Sequence, residues 1–471
     1  MDMSLQASNY RPETAIAEIA DFIADPVRPA EFPQTILRFR NNRAAATVGL
    51  DGLNDEQWIA HFGRFEPLPG NLPEPLALRY HGHQFRVYNP DLGDGRGFTF
   101  AQLREAEARG GRLLDLGTKG SGLTPWSRTA DGRLTLKGGV REILATEMLE
   151  ALGVTTSRTF SLIETGEPLI RGDEPSPTRS AVLVRLSHGH IRIGSFQRLF
   201  ALGETENIPR LIDYCLNHLL NLDPGENAAL TLLEAVVSRT ADLAASYMVA
   251  GFVHGVLNSD NIAITAESFD YGPWRFTPNW TPGFTAAYFD QTGLYAFARQ
   301  AEAIHWDVAQ LAHALQDHAA LEPLVEILRR FPQLYKERLI ARFLWRLGHD
   351  APDDATARAF VEAAVMALRD SDVLIDRFFF DARRGDLSAR VYPGPAWDQV
   401  RAAQSALSPR PGHLDHPYWS GDAPCLMHIN EVEAIWSHID RDDDWLPLHD
   451  KITAVRAMGA AHGPESMTQG S

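Results

Sequence analysis

Asp260, Asn261 and Asp270 fall within one short stretch, GFVHGVLNSDNIAITAESFDYGP, residues 251–273. Together they could do chemistry on a phosphate. A carboxylate and an amide oxygen are hard ligands that suit Mg2+, an ion that keeps several waters and takes its other oxygens from substrate phosphates. A second carboxylate nearby could accept the proton of an attacking hydroxyl. The same residue types dominate turns, so Asn258-Ser259-Asp260-Asn261 and Asp270-Tyr271-Gly272-Pro273 also read as plain turn sequences.

Three further constellations bear on an anionic ligand. Gly93-Asp94-Gly95-Arg96-Gly97 precedes an apolar run; such a turn lets backbone N–H groups approach a phosphate, and it is equally an everyday hairpin turn. Lys119 closes the run Leu113-Leu114-Asp115-Leu116-Gly117-Thr118, and Glu142 lies early in the helical run that follows. A strand lysine held by a helix glutamate is how protein kinases grip nucleotide phosphates; the alternative is two solvated side chains. Arg185 closes the run Ala181-Val182-Leu183-Val184, on the side of Leu183 by alternation, and Arg192 sits in His190-Ile191-Arg192-Ile193. Cations in apolar surroundings need partners. These two could clamp phosphate oxygens, or pair internally with some of the 61 acidic residues.

Other chemistries find less support. His81-Gly82-His83 and His188-Gly189-His190 have no cysteine or H-E-x-x-H companion and read as turn histidines. No G-x-S-x-G elbow is present. Asp270-Tyr271-Gly272 is close to the kinase Asp-Phe-Gly, yet there is no His-Arg-Asp and no G-x-G-x-x-G-x-V.

The elements that must position these groups change character along the chain. From about 80 to 200 glycine pairs alternate with short apolar, strand-like runs, interrupted by one helix from Arg141 to Leu152 that ends at Gly153, a C-cap glycine. From about 207 long amphipathic helices take over. Leu233, Val236, Val237, Thr240, Leu243, Ala244, Tyr247 and Met248 follow helical spacing directly into the Asp260 stretch, where Ile262–Ile264 reads as a short strand of a hairpin. Further helices are expected at 300–317, 319–349 and 352–370, and one near 430–439 in a Pro-, His- and Asp-rich tail. A strand-rich part followed by a helix-rich part implies an α+β fold with a ligand cleft between the two.

Composition bounds the partners. The 471 residues are 44% hydrophobic and 22% charged, which suits a soluble globular protein. No stretch approaches the roughly 18 uninterrupted apolar residues of a membrane helix. The N-terminal stretch lacks the basic and apolar regions of a signal peptide. Two cysteines, Cys215 and Cys425, exclude a Cys-rich zinc site and fit a reducing cytoplasm. A net charge of −17 argues against nucleic acid as a partner.

Taken in order, Gly93-Asp94-Gly95-Arg96, Lys119 to Arg128 (KGSGLTPWSR), Asp131-Gly132-Arg133, Arg141-Glu142-Ile143-Leu144, His190 to Gly194 (HIRIG), His254 to Asn261 (HGVLNSDN) and Asp270 to Pro273 (DYGP) resemble the selenoprotein O family. These are pseudokinase-fold protein adenylyltransferases, also called the YdiU group. The likeness covers about residues 75 to 300. It implies a two-lobed, protein-kinase-like fold: an N-terminal extension (1–75), a strand-rich N-lobe that binds nucleotide phosphates (76–205), a helical C-lobe with the catalytic and metal loops (206–400) and a divergent tail (401–471).

The resemblance also implies roles. ATP would lie flipped relative to a kinase, so that AMP passes to a Ser, Thr or Tyr hydroxyl of a protein and pyrophosphate leaves. Asp260 would accept the proton. Asn261 and Asp270 would hold Mg2+ or Mn2+. Lys119, Arg185 and Arg192 would bind the phosphates, with Glu142 orienting Lys119. Gly93, Gly95, Arg96, Asp131 and Gly132 would line the nucleotide. Self-modification is open as well as transfer to other proteins. Ordinary phosphoryl transfer and a non-catalytic nucleotide-binding regulator are the alternatives. The chain departs from the family where Phe284-Thr285-Ala286-Ala287 replaces Phe-Ile-Cys-Asn, where Lys137-Gly138-Gly139 replaces Arg-Ser-Ser, and in its ending, which lacks the family's Cys or selenocysteine motif.

Overall fold

Among the described residues, eleven strands lie with intervening helices between positions 12 and 187, and nine of them form one sheet paired antiparallel throughout. They are β1 (Pro12–Glu13), β2 (Ala24–Pro26), β3 (Ile36–Arg40), β4 (Leu76–Leu78), β5 (Gly82–Gln84), β6 (Val87–Asn89), β7 (Thr99–Arg104), β8 (Leu113–Lys119), β9 (Leu134–Thr135), β10 (Arg158–Leu169) and β11 (Thr178–Ser187). The order across the sheet is β2-β4-β7-β8-β11-β10-β3, with β1 beside β7 and β9 beside β11, while β5 and β6 form a separate hairpin. The computed structural model describes residues 9–172 and 174–463. The last eight residues, on which the comparison with a cysteine-bearing tail rests, lie outside them.

Every residue of β8 is buried, because both faces of the sheet are covered. Alternation sends Leu113 and Leu183 to one face, packed with Val140, Ile143 and Leu144 of the Leu136–Ala151 helix. Leu114, Leu116, Val182 and Val184 go to the other, against Trp58, Phe62 and Phe65. Residues from the first seventy-five positions therefore complete the sheet through β1, β2 and β3 and also cap one of its faces.

The Leu136–Ala151 helix begins where Thr135 accepts a hydrogen bond from Gly138 N (3.1 Å). Gly139 lets it lie close on β10, since a Cβ there would stand 2.3 Å from Leu162 Cδ1. It ends as the sequence predicts, with Gly153 at φ +76° just beyond.

Beyond the sheet the described residues are mostly helical. The Ala228–Ala250 helix ends at Gly251 (φ +69°). The helix expected at 300–317 is Gln300–Ala314, and the one expected at 352–370 is Asp354–Arg369. The single helix expected over 319–349 is two, Leu321–Arg329 and Phe331–Leu347: Pro332 has no N–H to continue the first helix and suits the opening turn of the second.

Among its described residues the tail holds two α-helices after position 405, Ile429–Asp442 and Leu446–His462, rather than the one expected. The second lies against the Leu136–Ala151 helix. A Cβ on Gly459 would stand 3.0 Å from Ala151 Cα, and Arg456 Nε donates to Glu147 Oε2 at 2.7 Å. Lys137 reaches Glu433 of the preceding helix at 2.7 Å. Cys215 and Cys425 are both free. Among the described residues no helix is long and apolar enough to cross a membrane.

Candidate active site

A cleft of about 410 Å³ gathers residues that lie far apart in the chain. Gly93, Gly95, Arg96, Lys119, Arg185, Arg192, Asp260, Asn261 and Asp270 all line it. Glu142 stands behind them, bonded to Lys119. Asp131 and Gly132 do not line it: Asp131 is paired with Arg171 (2.8 and 3.1 Å), and Gly132 packs against Gly122, where a Cβ would stand 2.3 Å from the carbonyl oxygen.

Register aims the cations. Lys119 pairs with Leu183, and Arg185 with Gly117, so both side chains share the sheet face that meets the helix carrying Glu142. Lys119 Nζ stands 2.6 Å from Glu142 Oε2 and 2.7 Å from Asp270 Oδ1. Arg185 lies 3.7 Å from both acids, and its Nε donates to His190 Nε2 at 3.1 Å. His190 fits because Gly117 has no side chain; a Cβ there would meet the ring at 2.4 Å. The other ring nitrogen of His190 faces Asp115 Oδ2 at 3.3 Å. Burial holds this imidazole below its usual pKa, and a neutral ring that takes a hydrogen bond from Arg185 is consistent with that.

Arg192 meets both readings the sequence left open. Its guanidinium lies between the rings of Tyr80 (4.2 Å) and Phe269 (4.8 Å), donates to the Asp260 carbonyl (3.0 Å) and pairs with Asp94 (3.1 Å). It nevertheless lines the cleft, and its Nε has no partner among the described residues.

The stretch around Asp260 is not a hairpin. Ser259–Asn261 is a single 3-10 turn, and the apolar Ile262-Ala263-Ile264 is buried beneath it. Its one ladder contact is an isolated bridge from Ala263 to Arg192. Burial, not strand pairing, accounts for these apolar residues. Ser259 Oγ fixes the turn, donating to Gln197 Oε1 (2.6 Å) and accepting from His83 N (2.8 Å). Two glycines make room for the acid: a Cβ on Gly82 would lie 2.7 Å from Asp260 Oδ1, and one on Gly194 would lie 3.5 Å from its Cα.

The two aspartates are tuned in opposite directions. Asp260 is 6% exposed, and its Oδ1 has no partner among the described residues. Burial raises its pKa from 3.8 to about 6, against the pull of Arg192. Asp270 is also pushed up by burial, but Lys119, Arg185, Arg96 and Arg192 outweigh this and hold it well below the usual carboxylate range. Its backbone adopts φ +59°, a conformation an aspartate tolerates better than most residues. One acid is thus ready to take a proton and the other stays ionised, a division of roles known from paired catalytic carboxylates.

Asn261 and Asp270 suit a hard divalent ion. Asn261 donates through Nδ2 to Val256 O (3.0 Å), which orients the amide and leaves Oδ1 without a hydrogen bond among the described residues. Asp270 faces the cleft with its side chain 30% exposed. Among the described residues no cluster of three or more His, Cys, Asp or Glu surrounds such an ion. A carboxylate and an amide leave the remaining positions to water and substrate phosphates, which Mg2+ prefers.

Four contributors escape the sequence reading. Asp94, between the two glycines, anchors Arg192 and accepts from Leu78 N (3.0 Å). Arg128 (φ +54°) adds an exposed cation at the rim without a hydrogen-bond partner among the described residues. Trp126 packs on Gly93 and donates to Asp25 (2.9 Å). Asp307 has an unpartnered Oδ2, and burial, followed by Asp260, raises its pKa well above the usual value. Asp94 between its glycines, and Trp126 and Arg128 in the Lys119–Arg128 run, lie inside motifs the sequence offered, whereas nothing in the sequence marked Asp307.

Comparison with known proteins gives consistent matches. The family model described as "Protein adenylyltransferase SelO" matches residues 5–390. A "Protein nucleotidyltransferase YdiU" of Trichodesmium erythraeum is 39% identical over 97% of this chain and 100% of its own length. Proteins of the same description from Synechococcus elongatus (41% identical, 96% of each chain) and Gloeobacter violaceus (42% identical, 94% of each chain) are similar to it as well.

Proposed function

The chain belongs to the SelO family of protein nucleotidyltransferases, and from that premise we propose that it transfers AMP from ATP to Ser, Thr or Tyr hydroxyls of proteins. The observation that carries this reading is the meeting in one cleft of three cations with an acid of raised pKa and an acid of lowered pKa. In this reading the sheet and its bound helix act as a nucleotide-gripping lobe, and the helices from about residue 206 form a second, kinase-like lobe.

Lys119, Arg185 and Arg192 bind and offset triphosphate charge. Glu142 keeps Lys119 aimed into the cleft, and Arg96 and Arg128 add charge at the rim. The acceptor oxygen attacks the α-phosphorus; its bond to that phosphorus forms as the bond to pyrophosphate breaks. Asp260 receives the hydroxyl proton, and a pKa near 6 suits a base working close to neutrality. Asn261 and Asp270 would hold Mg2+ or Mn2+, which when bound neutralises phosphate charge. Gly93 and Gly95 form the turn over the phosphates. The acceptor can lie on another protein or on the chain itself.

The test uses ATP labelled at the α- or the γ-phosphate, Mg2+, and the wild-type, Asp260→Ala and Asp270→Ala proteins. Label reaching protein from the α position alone, and lost in both variants, is the expected result. Label from the γ position alone would show a kinase. Nucleotide binding with neither label transferred would show a regulator.

A further inference from the structure

A second cavity, of about 530 Å³, shares no lining residue with the cleft. Its walls come from the β7–β8 turn, the residue after β11, the Ala228–Ala250 helix and the Phe331–Leu347 helix. The volume is that of a small-molecule site.

In a chain of net charge −17, this cavity is basic. Arg109, Arg112, Arg239 and Arg338 line it, and among the described residues Asp242 is the only carboxylate that does. Asp242 is already engaged by Arg342 (2.9 Å), and Arg112 by Glu105 (2.9 and 3.2 Å). The guanidinium groups of Arg109, Arg239 and Arg338 have no hydrogen-bond or ion-pair partner among the described residues. Arg239 is half-buried, and burial together with Arg112 disfavours its charge. A desolvated cation without a counter-charge is costly unless something supplies one.

His188 is an independent pointer. It is 8% exposed, lines the same cavity, and its Nε2 has no partner among the described residues. Burial, then Arg112 and Arg239, pushes this imidazole down to about 3. An anion in the cavity would reverse the electrostatic part of that shift and provide the missing partner.

We propose that this cavity is a second anion site that takes a phosphate-bearing ligand no larger than a mononucleotide, held by Arg109, Arg239 and Arg338 with His188 at its floor. Guanidinium forks match phosphate oxygens in pairs, and no acid in the cavity is left free to repel them. The ligand is either an inorganic polyphosphate or a nucleotide recognised through its phosphates.

Calorimetric titration of the full chain with inorganic pyrophosphate, in the presence of EDTA, tests the site. Arg239→Glu is expected to lose one equivalent of bound pyrophosphate, or to weaken it by about tenfold or more. Arg109→Glu, on an exposed turn where folding is not at stake, is expected to weaken binding in the same sense. Pyrophosphate uptake unchanged in both variants would overturn the proposal, as would its absence from the wild type. AMP displacing pyrophosphate from this site identifies a nucleotide as the ligand; failure to displace it identifies polyphosphate alone. None of these results depends on AMP transfer in the cleft, so that reading stands or falls separately.

Discussion

Lys119 Nζ and Glu142 Oε2 lie 2.6 Å apart, a buried ion pair that ties the end of β8 to the helix across the sheet face. Asp270 completes a three-membered group around the lysine at 2.7 Å. Replacing Glu142 by Gln keeps the shape and removes one charge, so that Asp270 and Arg185 decide where Lys119 points. Transfer activity should fall by roughly 10- to 100-fold, since small misplacements of a binding group cost about that much. Steady-state kinetics would check this; unchanged kcat/KM would sink the orienting role.

Lys119→Met leaves Glu142 and Asp270 without their principal cation. Breaking a buried pair from one side costs about 3–5 kcal/mol, less here because Arg185 remains nearby. Asp270 has a depressed pKa in the folded protein, so its stabilisation is present above the unfolded value of 3.8 and lost as pH falls through the folded one. The variant should therefore melt lower than wild type at pH 7, with the gap closing under acid conditions. Thermal melts from pH 3 to 8 would show whether it does.

Asp260 carries the opposite sign. Burial raises its pKa from 3.8 to about 6, so the folded protein binds the extra proton between those values and loses stability as pH rises through them. Asp260→Asn should gain up to roughly 3 kcal/mol at neutral pH and nothing below about pH 4. It should also lose about 100-fold or more in kcat while retaining ATP binding. For the wild type, kcat/KM should climb with pH around a midpoint near 6; a flat profile from pH 5 to 8 would remove Asp260 from the proton-accepting role.

Asn261→Ala removes one proposed metal oxygen but not the charged one. The Mg2+ concentration for half-maximal transfer should rise by on the order of 10- to 100-fold, with activity restored at high metal. EDTA should abolish transfer in wild type. Transfer that persists in EDTA would argue against an ion at Asn261 and Asp270.

Gly93 is constrained by packing as well as by any phosphate. A Cβ there would stand 2.3 Å from the Trp126 ring. Gly93→Ala should cost about 1–3 kcal/mol of stability, as overpacking usually does. Adding Trp126→Leu should recover part of it if the ring is the obstacle, and a double-mutant cycle on urea melts measures that coupling.

Some of this was legible in the chain itself. The Gly153 helix end and the side on which Arg185 lies follow from local periodicity, where helical spacing and strand alternation carry the information. The Lys119–Glu142 pair was legible only as the kinase pattern of a strand lysine and a helix glutamate, set against two solvated side chains. The membership of β3 in the sheet does not. It pairs with β10 more than a hundred positions away, for example Phe39 with Leu162, and no local pattern announces such a partner. Ile262-Ala263-Ile264 reads as a strand because apolar β-branched residues favour strands, yet here burial under the Ser259–Asn261 turn is what they satisfy. Asp131 and Gly132 entered through the family likeness alone, and the structure sets Asp131 against Arg171, outside the cleft lining. Asp94, by contrast, sat within a recognised motif, but its attachment to Arg192 depends on two loops meeting.

The Leu446–His462 helix begins well after residue 390, where the family match stops, yet it is pressed against the helix that bears Glu142 through Gly459 and Arg456. Trimming the gene at residue 390 would therefore strip the brace from behind the lysine's anchor. Inactivity in such a shortened product would say nothing about the chemistry of the cleft. Any change in this tail must keep one narrow, small-residue seat for that helix.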